Sequence, residues 1–253
     1  MGQLSRRVAV TGGASGIGLA AVTLFAEAGA RVAVIDRQGG EAAAELRRAN
    51  LLPLVADVAD EAQMEAAFGA VRAEFGGLDA VVVAAGVNGV WAPVTSLSVS
   101  EWDTVMNINL RGTFLTAKHA VPLLARGGAM VLVSSINGTR SFTNTGATPY
   151  AASKAAQLAM GKMLALELAG AGVRVNVVCP GATESAIERS TVRRGLDSVR
   201  FPVAFPAGDI PLTKGGKAKA REVAEAIVFL CSEGASHITG TELYIDGGQS
   251  LIL

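Results

Sequence analysis

The sequence predicts an α/β protein, one domain built on a doubly wound parallel sheet with helices on both faces. Two observations predict it. Short apolar runs recur along the 253 residues and are continuous rather than alternating, as strands covered on both faces are. Longer Ala-rich amphipathic stretches separate them, and alternation of this kind folds into a parallel sheet through right-handed crossovers. Composition agrees: 50% of residues are hydrophobic and 17% charged, enough apolar material for a sizeable core.

Strands are expected at Arg7–Val10, Val32–Ile35, Pro53–Ala56, Ala80–Ala84, Ala129–Val133, Val173–Val178 and Glu242–Ile245. Between them helices are expected near Ile17–Ala28, Gly40–Arg48, Glu61–Phe75, Val99–Leu124, Pro149–Ala169 and Arg221–Leu230. Ser98-x-x-Glu101 has the spacing of a capping box for the fourth helix. Gly29 and Gly170 stand where helices should stop. No repeat, linker or low-complexity tract interrupts the order. The one long irregular stretch is Ala182–Ala218, broken by Gly195, Pro202, Pro206, Pro211 and Gly215-Gly216; loops of that length in one domain are usually functional.

Charge and motif content exclude several classes. Twenty-two basic and 22 acidic residues cancel, so no global field draws a polyanion, and nucleic acid is not an expected partner. Cys179 and Cys231 form no framework or metal motif and read as buried thiols of a reducing cytosol. His119 and His237 lack ligand spacing, so no metal is expected. The apolar run after Arg6-Arg7 is stopped by Thr11-Gly12-Gly13, too early for a signal-peptide core. Met1-Gly2 lacks the Ser or Thr that myristoylation wants at position 6. No run nears the ~18 apolar residues of a membrane span. The expected location is the cytoplasm, with no membrane partner.

Thr11-Gly12-Gly13-Ala14-Ser15-Gly16-Ile17-Gly18 joins the first strand to the first helix. Glycines there permit a tight turn and close approach of backbone to a pyrophosphate, while the helix N-terminus offers amide donors and a favourable dipole. The context such a turn requires is a strand before, a helix after and an acid at the end of the next strand. That acid is Asp36. Its carboxylate suits the hydroxyls of an adenosine ribose and repels a 2′-phosphate, which argues for NAD over NADP. Arg37 follows and could accept such a phosphate. Asp57-Val58 ends the third strand and could hold the adenine edge, although a bare Asp-Val is unspecific.

Tyr150-Ala-Ala-Ser-Lys154 places a phenol and an ammonium one helical turn apart on one face. A free phenol, with a pKa of about 10, is too weakly acidic to serve as a base at neutral pH. A lysine within ~4–6 Å favours the phenolate. The pair is thus a device for moving a proton on and off an oxygen.

With both ends in view, the chain resembles the short-chain dehydrogenase/reductase family over nearly its whole length, from Val8 to Gly248. The carriers are the Thr11–Gly18 turn, Asp57-Val58, Val83-Ala84-Ala85-Gly86, Asn109-Leu110-Arg111-Gly112, Ser134-Ser135, Tyr150-x-x-x-Lys154, Pro180-Gly181 and Asp246-Gly247-Gly248. The resemblance implies a Rossmann-like sheet of seven strands, a nicotinamide cofactor and a homotetramer or dimer; the apolar tail Leu251-Ile252-Leu253 favours a homotetramer, whose partner would bury it. It implies a catalytic group of Asn109, Ser135, Tyr150 and Lys154, with Ser135 rather than Ser134 and Asn109 rather than Asn107 in the matching positions. It implies cofactor contacts from Gly12, Ser15, Gly16, Ile17, Gly18, Asp36, Arg37, Asp57, Val58, Ala84, Ala85, Gly86, Tyr150, Lys154, Pro180, Gly181, Thr183 and Ser185. Two departures stand out. The family often has Asn-Asn-Ala-Gly where this chain has Val83-Ala84-Ala85-Gly86, which puts local stability in doubt. Ser185 stands where a Thr is common.

The activity implied is interconversion of a secondary alcohol and a ketone with NAD, Tyr150 acting as general base or acid. Ser135 would bind the substrate oxygen, Lys154 would lower the Tyr150 pKa and bind the nicotinamide ribose, and the Asn109 carbonyl would hold a water leading from Lys154 to solvent. Residues 182–218 would form a substrate lid carrying Phe201, Phe205, Arg189, Arg193, Arg194 and Arg200. Arg140 and Asn144 are further candidates for substrate contact. Two rivals remain: a 3-oxoacyl-(acyl-carrier-protein) reductase, against which Asp36 counts because most of those prefer NADPH, and a catalytically idle NAD-binding protein.

Overall fold

Each of the seven apolar runs becomes a strand of one sheet. The computed structural model describes residues 7–38, 50–201 and 203–252, with the side chain of Ala186 left aside. The strands are β1 (Arg7–Thr11), β2 (Arg31–Asp36), β3 (Leu51–Val55), β4 (Leu78–Val83), β5 (Leu124–Val133), β6 (Arg174–Pro180) and β7 (Glu242–Ile245). They lie in the order β7-β6-β5-β4-β1-β2-β3, and every pairing is parallel. The chain winds outward one way from β1 and the other way from β4. The switch between them opens a crevice at the carboxyl ends of the strands, where such sheets bind ligands.

Alternate strand residues face opposite layers. Val8, Val10, Val32 and Val34 pack with Val22 and Phe25 of α1 (Gly16–Glu27) and with Val223, Ile227 and Leu230 of the last long helix, Ala220–Cys231. On the other face, Ala9, Ile35, Val81 and Met130 pack with Met64 and Phe68 of α2 (Glu61–Phe75), and with Leu115 and Leu168 from two later helices. Parallel strands buried on both faces need apolar residues at every position, which explains the unbroken runs.

The expected helix Val99–Leu124 is not one helix. It divides into α3 (Val99–Val105), a π-helical turn at Met106–Arg111, α4 (Gly112–Ala120) and a 3₁₀ turn at Val121–Leu123, after which Leu124 already belongs to β5. The π turn shows in the bond from Gly112 N to Asn107 O, five residues back. Gly112 lies so close to Val58 that a Cβ there would stand 2.7 Å from Val58 Cγ2. The capping box is present, with Ser98 Oγ accepting from Glu101 N and Glu101 accepting from Ser98 N. Next come α5 (Thr148–Ala169) and α6 (Ala220–Cys231). Gly29, with φ 84°, follows α1 as expected; beyond α5 the left-handed residue is Gly172 (φ 73°), while Gly170 keeps a right-handed φ of −62°. The expected helix Gly40–Arg48 lies outside the described residues.

The stretch after β6 is irregular but tied down. Thr183–Glu184 pairs with Ala218–Lys219, and Thr191–Arg193 pairs with Gly89–Trp91 beyond β4. Asn88 adds two bonds, from its N to Ser190 Oγ (3.0 Å) and from Nδ2 to Thr191 Oγ1 (2.7 Å). Among the described residues no helix is long and apolar enough to cross a membrane.

Candidate active site

A cleft of about 780 Å³ runs across the carboxyl ends of β1, β2, β4, β5 and β6. Its size is that of a cofactor or substrate site. At one end lies the Gly-rich turn. Gly12 has φ 71°, and a Cβ on it would sit 2.6 Å from the Ala85 backbone; on Gly18 it would sit 2.1 Å from Gly12 O. The turn is folded so tightly against β4 and α1 that only glycine fits these positions. Ser15 is the N-cap of α1 but makes no side-chain cap bond, so the first amides of the helix, from Gly16 and Ile17 onward, open onto the cleft. Bare amides at a helix N-terminus beside a backbone cradle fit a dinucleotide diphosphate.

Asp36 ends β2 at the cleft edge, where its Oδ2 accepts from Ala14 N (3.2 Å) and its Oδ1 from Gln38 N (3.0 Å). The carboxylate therefore braces the Gly-rich turn as well as lining the site; exposed Arg37 lies beside it. Asp57 also lines the cleft, with Oδ1 accepting from Ala59 N (2.8 Å), and Val58 is buried under Gly112. Ala84, Ala85 and Gly86 form the floor. Ala84 N donates to Thr11 O (3.0 Å), while Thr11 Oγ1 is buried without a hydrogen-bond partner. No side-chain amide on this strand end reaches it.

Across the cleft, Pro180 and Gly181 end β6. A Cβ on Gly181 would meet Gln249 Oε1 at 2.7 Å, and Gln249 Oε1 accepts from Ala182 N (2.9 Å). Thr183 Oγ1 donates back to Gly181 O (3.0 Å), and Ser185 lines the same wall.

Between the two walls three separate segments bring Asn109, Ser135, Tyr150 and Lys154 together. Ser135 and Ser134 divide their roles. Ser134 Oγ donates to Lys154 O (2.8 Å) inside the fold, whereas Ser135, which accepts from Asn137 N (3.2 Å), faces Tyr150. Asn109 is buried in the π turn and Asn107 is exposed. The Asn109 side chain accepts from Val87 N (2.8 Å) and donates to Val87 O (3.0 Å) and Ser153 Oγ (3.0 Å), clamping the β4 loop to α5. Tyr150 and Lys154 stand one turn apart on α5, with Lys154 Nζ 5.6 Å from the phenol ring centre.

The electrostatics run against one expectation. Burial pushes the Tyr150 phenol above its ordinary value, and the opposing influence is the Ser135 hydroxyl, which donates to the phenol oxygen. Burial also pulls Lys154 down, to about 8. The lysine does not turn Tyr150 into an acidic phenol in the protein alone, because the same dry interior penalises both charged forms. A second expectation meets a filled position. Asn109 O accepts from Thr113 Oγ1 (2.7 Å) and from Gln157 Nε2 (2.8 Å), which uses both carbonyl lone pairs where a water was expected.

The end of the cleft beyond Tyr150 is lined by Trp91, Ile187, Ser141, Thr143, Asn144, Arg189 and Arg193. Arg193 lies over the Trp91 ring at 5.0 Å, and Trp91 packs on Tyr150. Arg194 turns away to Glu101 (2.8 and 3.0 Å), and Arg140 stacks on Tyr244 at 3.6 Å; neither lines the cleft. Arg200 and Phe201 line a neighbouring hollow, and Phe205 lines neither. Sequence reasoning passed over Trp91 and Gln157. Gln157 did leave a signal, a polar residue three places after Lys154 on the face of α5 that packs inward.

The whole chain can be set beside known proteins. A family model described as enoyl-(acyl carrier protein) reductase matches residues 12–250. The 3-oxoacyl-[acyl-carrier-protein] reductase of Thermotoga maritima is 36% identical, covering 94% of this chain and 95% of its own. The D-threitol dehydrogenase of Mycolicibacterium smegmatis is 39% identical, covering 96% and 92%. A 3-ketoacyl-ACP reductase from Sinorhizobium meliloti 1021, solved by crystallography, superposes with a TM-score of 0.92 at 46% identity, covering 98% of this chain and all of its own. Two further neighbours were solved with cofactor. The 3-ketoacyl-(acyl-carrier-protein) reductase of Brucella melitensis holds NADH (TM-score 0.84, 29% identity, 97% and 98% coverage), and a short chain dehydrogenase of Burkholderia cenocepacia J2315 holds NADP (0.82, 31%, 96% and 97%). Fold, cleft and relatives agree on a site for a nicotinamide dinucleotide, and the chain belongs to the short-chain dehydrogenase/reductase family of oxidoreductases.

Proposed function

We propose that the protein is an NAD(H)-dependent oxidoreductase that interconverts a secondary alcohol and a ketone. The observation that carries this reading is the gathering of Ser135, Tyr150 and Lys154 in the cleft wall, the lysine one helical turn behind the phenol. NAD, held by the Gly12–Gly18 turn, Asp36 and the wall at Pro180–Ser185, supplies the hydride chemistry. The chain's own residues manage the proton. In oxidation, Ser135 hydrogen-bonds the substrate oxygen and Tyr150 takes its proton; in reduction, Tyr150 returns it. Lys154, with two of its three N–H donors held in the interior, turns the third toward the cleft and the cofactor ribose. Residues 182–218 act as the substrate lid, a reading supported by their tether to Gly89–Trp91 and by Arg189 and Arg193 in the cleft wall. The test is a panel of secondary alcohols and ketones with both cofactors, followed by NADH or NADPH absorbance; no turnover on any member would remove the reading.

A 3-oxoacyl-(acyl-carrier-protein) reductase is the second reading, favoured by the 46% identical neighbour. Preference for a 3-oxoacyl thioester over free ketones, with NADPH, would establish it instead.

Asp36 decides between the cofactors in this proposal. A carboxylate ~4 Å from a 2′-phosphate opposes each unit charge by about 4 kcal/mol at an effective dielectric near 20. If solvent and Arg37 leave only ~2 kcal/mol, NAD is favoured by about thirtyfold. Asp36→Ala is expected to narrow that ratio and to weaken both cofactors, since it also removes the acceptor for Ala14 N. Asp36→Asn keeps an acceptor and removes the charge, so it should narrow the ratio with less general loss. kcat/KM for both cofactors in all three proteins checks this; an unchanged ratio would show that Asp36 does not read the ribose.

Homotetramer assembly belongs to the same reading. Phe114 on α4, Met163 and Leu166 on α5, and Leu251 and Ile252 near the C-terminus are exposed apolar side chains that a partner copy would cover. Light scattering at micromolar concentration should give four times the chain mass; a monomer mass would end the proposal.

A further inference from the structure

We propose that Gln157 is a positioning residue for Lys154, its side-chain amide bridging the lysine to the Asn109 carbonyl and closing the inner side of the proton couple. Gln157 is fully buried and lies three residues beyond Lys154 on α5, on the same face. Lys154 Nζ donates to Gln157 Oε1 (3.0 Å) and to Val133 O (2.9 Å). Gln157 Nε2 donates to Asn109 O (2.8 Å) and to Thr113 Oγ1 (2.7 Å). The amide has only one orientation available. An ammonium has donors alone and must meet the amide oxygen; a carbonyl has acceptors alone and must meet the amide nitrogen. Both Nε2 protons are therefore spent, and so are both lone pairs of Asn109 O, the second on Thr113 Oγ1 (2.7 Å).

Two consequences follow for the reaction proposed above, on which this inference rests. An amide donates its N–H but does not pass a proton through itself, so the bridge conducts none between Lys154 and the helix interior. Tyr150 is a neutral phenol in the protein alone, so oxidation requires that it first lose its own proton; that proton, and the one Tyr150 then takes from the substrate hydroxyl, leave by the open cleft. The bridge also sets the direction of the ammonium. With two donors fixed inward, the third faces Gly86 and the cleft; a Cβ on Gly86 would stand 3.4 Å from Nζ.

The titratable groups facing Lys154 are Tyr150, on the same helix, and Cys179 on β6. Burial raises the Tyr150 phenol and pushes the Cys179 thiol up to about 12. Both are neutral near pH 8, so a change in the lysine's midpoint in a variant that keeps its burial reports its hydrogen bonds. The test titrates Lys154 by NMR in protein carrying ¹³C-labelled lysine. The chain has six lysines, and the Lys154 signal is the one lost in Lys154→Met. Gln157→Met keeps the volume and removes the acceptor, and the midpoint should fall by about one pH unit or more. Gln157→Asn keeps the amide but is too short to span both partners, and it should lower the midpoint as well. A Gln157 that only fills space would lower the melting temperature and leave the midpoint within ~0.3 pH unit of wild type in whichever variant folds, and that result would overturn the proposal. No substrate is involved, so failure of this test and failure of the functional reading, seen as no turnover of any alcohol or ketone, are separate results.

Discussion

Tyr150→Phe is expected to lower turnover by about 10²–10⁴-fold or more while leaving cofactor binding nearly intact, since general acid–base catalysis contributes that much. The ring that packs on Trp91 and Ala147 is kept, so the cleft wall should not collapse. What is lost is the phenol oxygen, proposed to carry the proton, that faces Ser135. Nothing else in the catalytic cluster can replace it. Ser135 has no adjacent base, Asn109 is spent on Val87 and Ser153, and the Lys154 ammonium already points two donors into the interior. The measurement is kcat in both directions together with NADH affinity by fluorescence. Turnover near wild type would show that the proton takes another route. A large loss of NADH affinity would show instead that the phenol chiefly supports the cofactor.

The second large effect is expected from a methyl group. Gly18→Ala would place a Cβ 2.1 Å from Gly12 O and 2.8 Å from Gly12 C, both backbone atoms of the turn proposed to cradle the diphosphate. No side chain can swing aside, so α1 and the turn must part. Overpacking of this kind costs about 1–3 kcal/mol, which lowers Tm by several degrees in a chain of this length. The helix N-terminus then leaves its alignment with the turn, and NAD affinity should fall about tenfold or more. Gly69→Ala is the control. It lies on the exposed face of α2 with nothing within 4 Å of the added Cβ, and should stabilise by about 0.5–1 kcal/mol without affecting NAD. Calorimetry on both variants, with and without NAD, separates the effects. A Gly18→Ala protein that melts and binds like wild type would mean the turn is pliable.

The strands and the Tyr150–Lys154 pairing were legible in the sequence because each depends on local chemistry. A parallel strand must be apolar on both faces, so Val8–Val10 and Val32–Ile35 announce themselves. Tyr150 and Lys154 are four apart because a helix makes them neighbours. The choice of Ser135 over Ser134 and of Asn109 over Asn107 came from resemblance, and the structure supplies the reason: one of each pair faces the cluster, while Ser134 braces α5 and Asn107 faces out. What could not be read depends on residues distant in sequence. The π turn at Met106–Arg111 hides inside a helical pattern, because a single extra residue barely alters the periodicity. The bridge through Gln157 needs α4 and α5 packed together. The direction of the Tyr150 shift depends on how dry the site is, which no spacing reveals. The orphan hydroxyl of Thr11 shows only once β4 lies beside β1.

The burial of Lys154 weighs on the whole molecule, beyond the cleft. A lysine that titrates near 8 in the fold and near 10.5 when unfolded leaves the native chain holding one proton fewer across that interval. Stability therefore rises with pH above about 8, and at pH 7 the charged lysine costs the fold about 3 kcal/mol. The thiols of Cys179 and Cys231, pushed from 9.0 up to about 12, act with the opposite sign and lower stability as pH passes 9. Resistance to urea should thus be greatest near pH 9, and midpoints measured at pH 7, 9 and 10.5 test it; a steady decline from 7 would refute the assignment. The protein keeps this buried lysine as a standing weakness in its own architecture, and any bound partner that accepts the ammonium's third N–H relieves it.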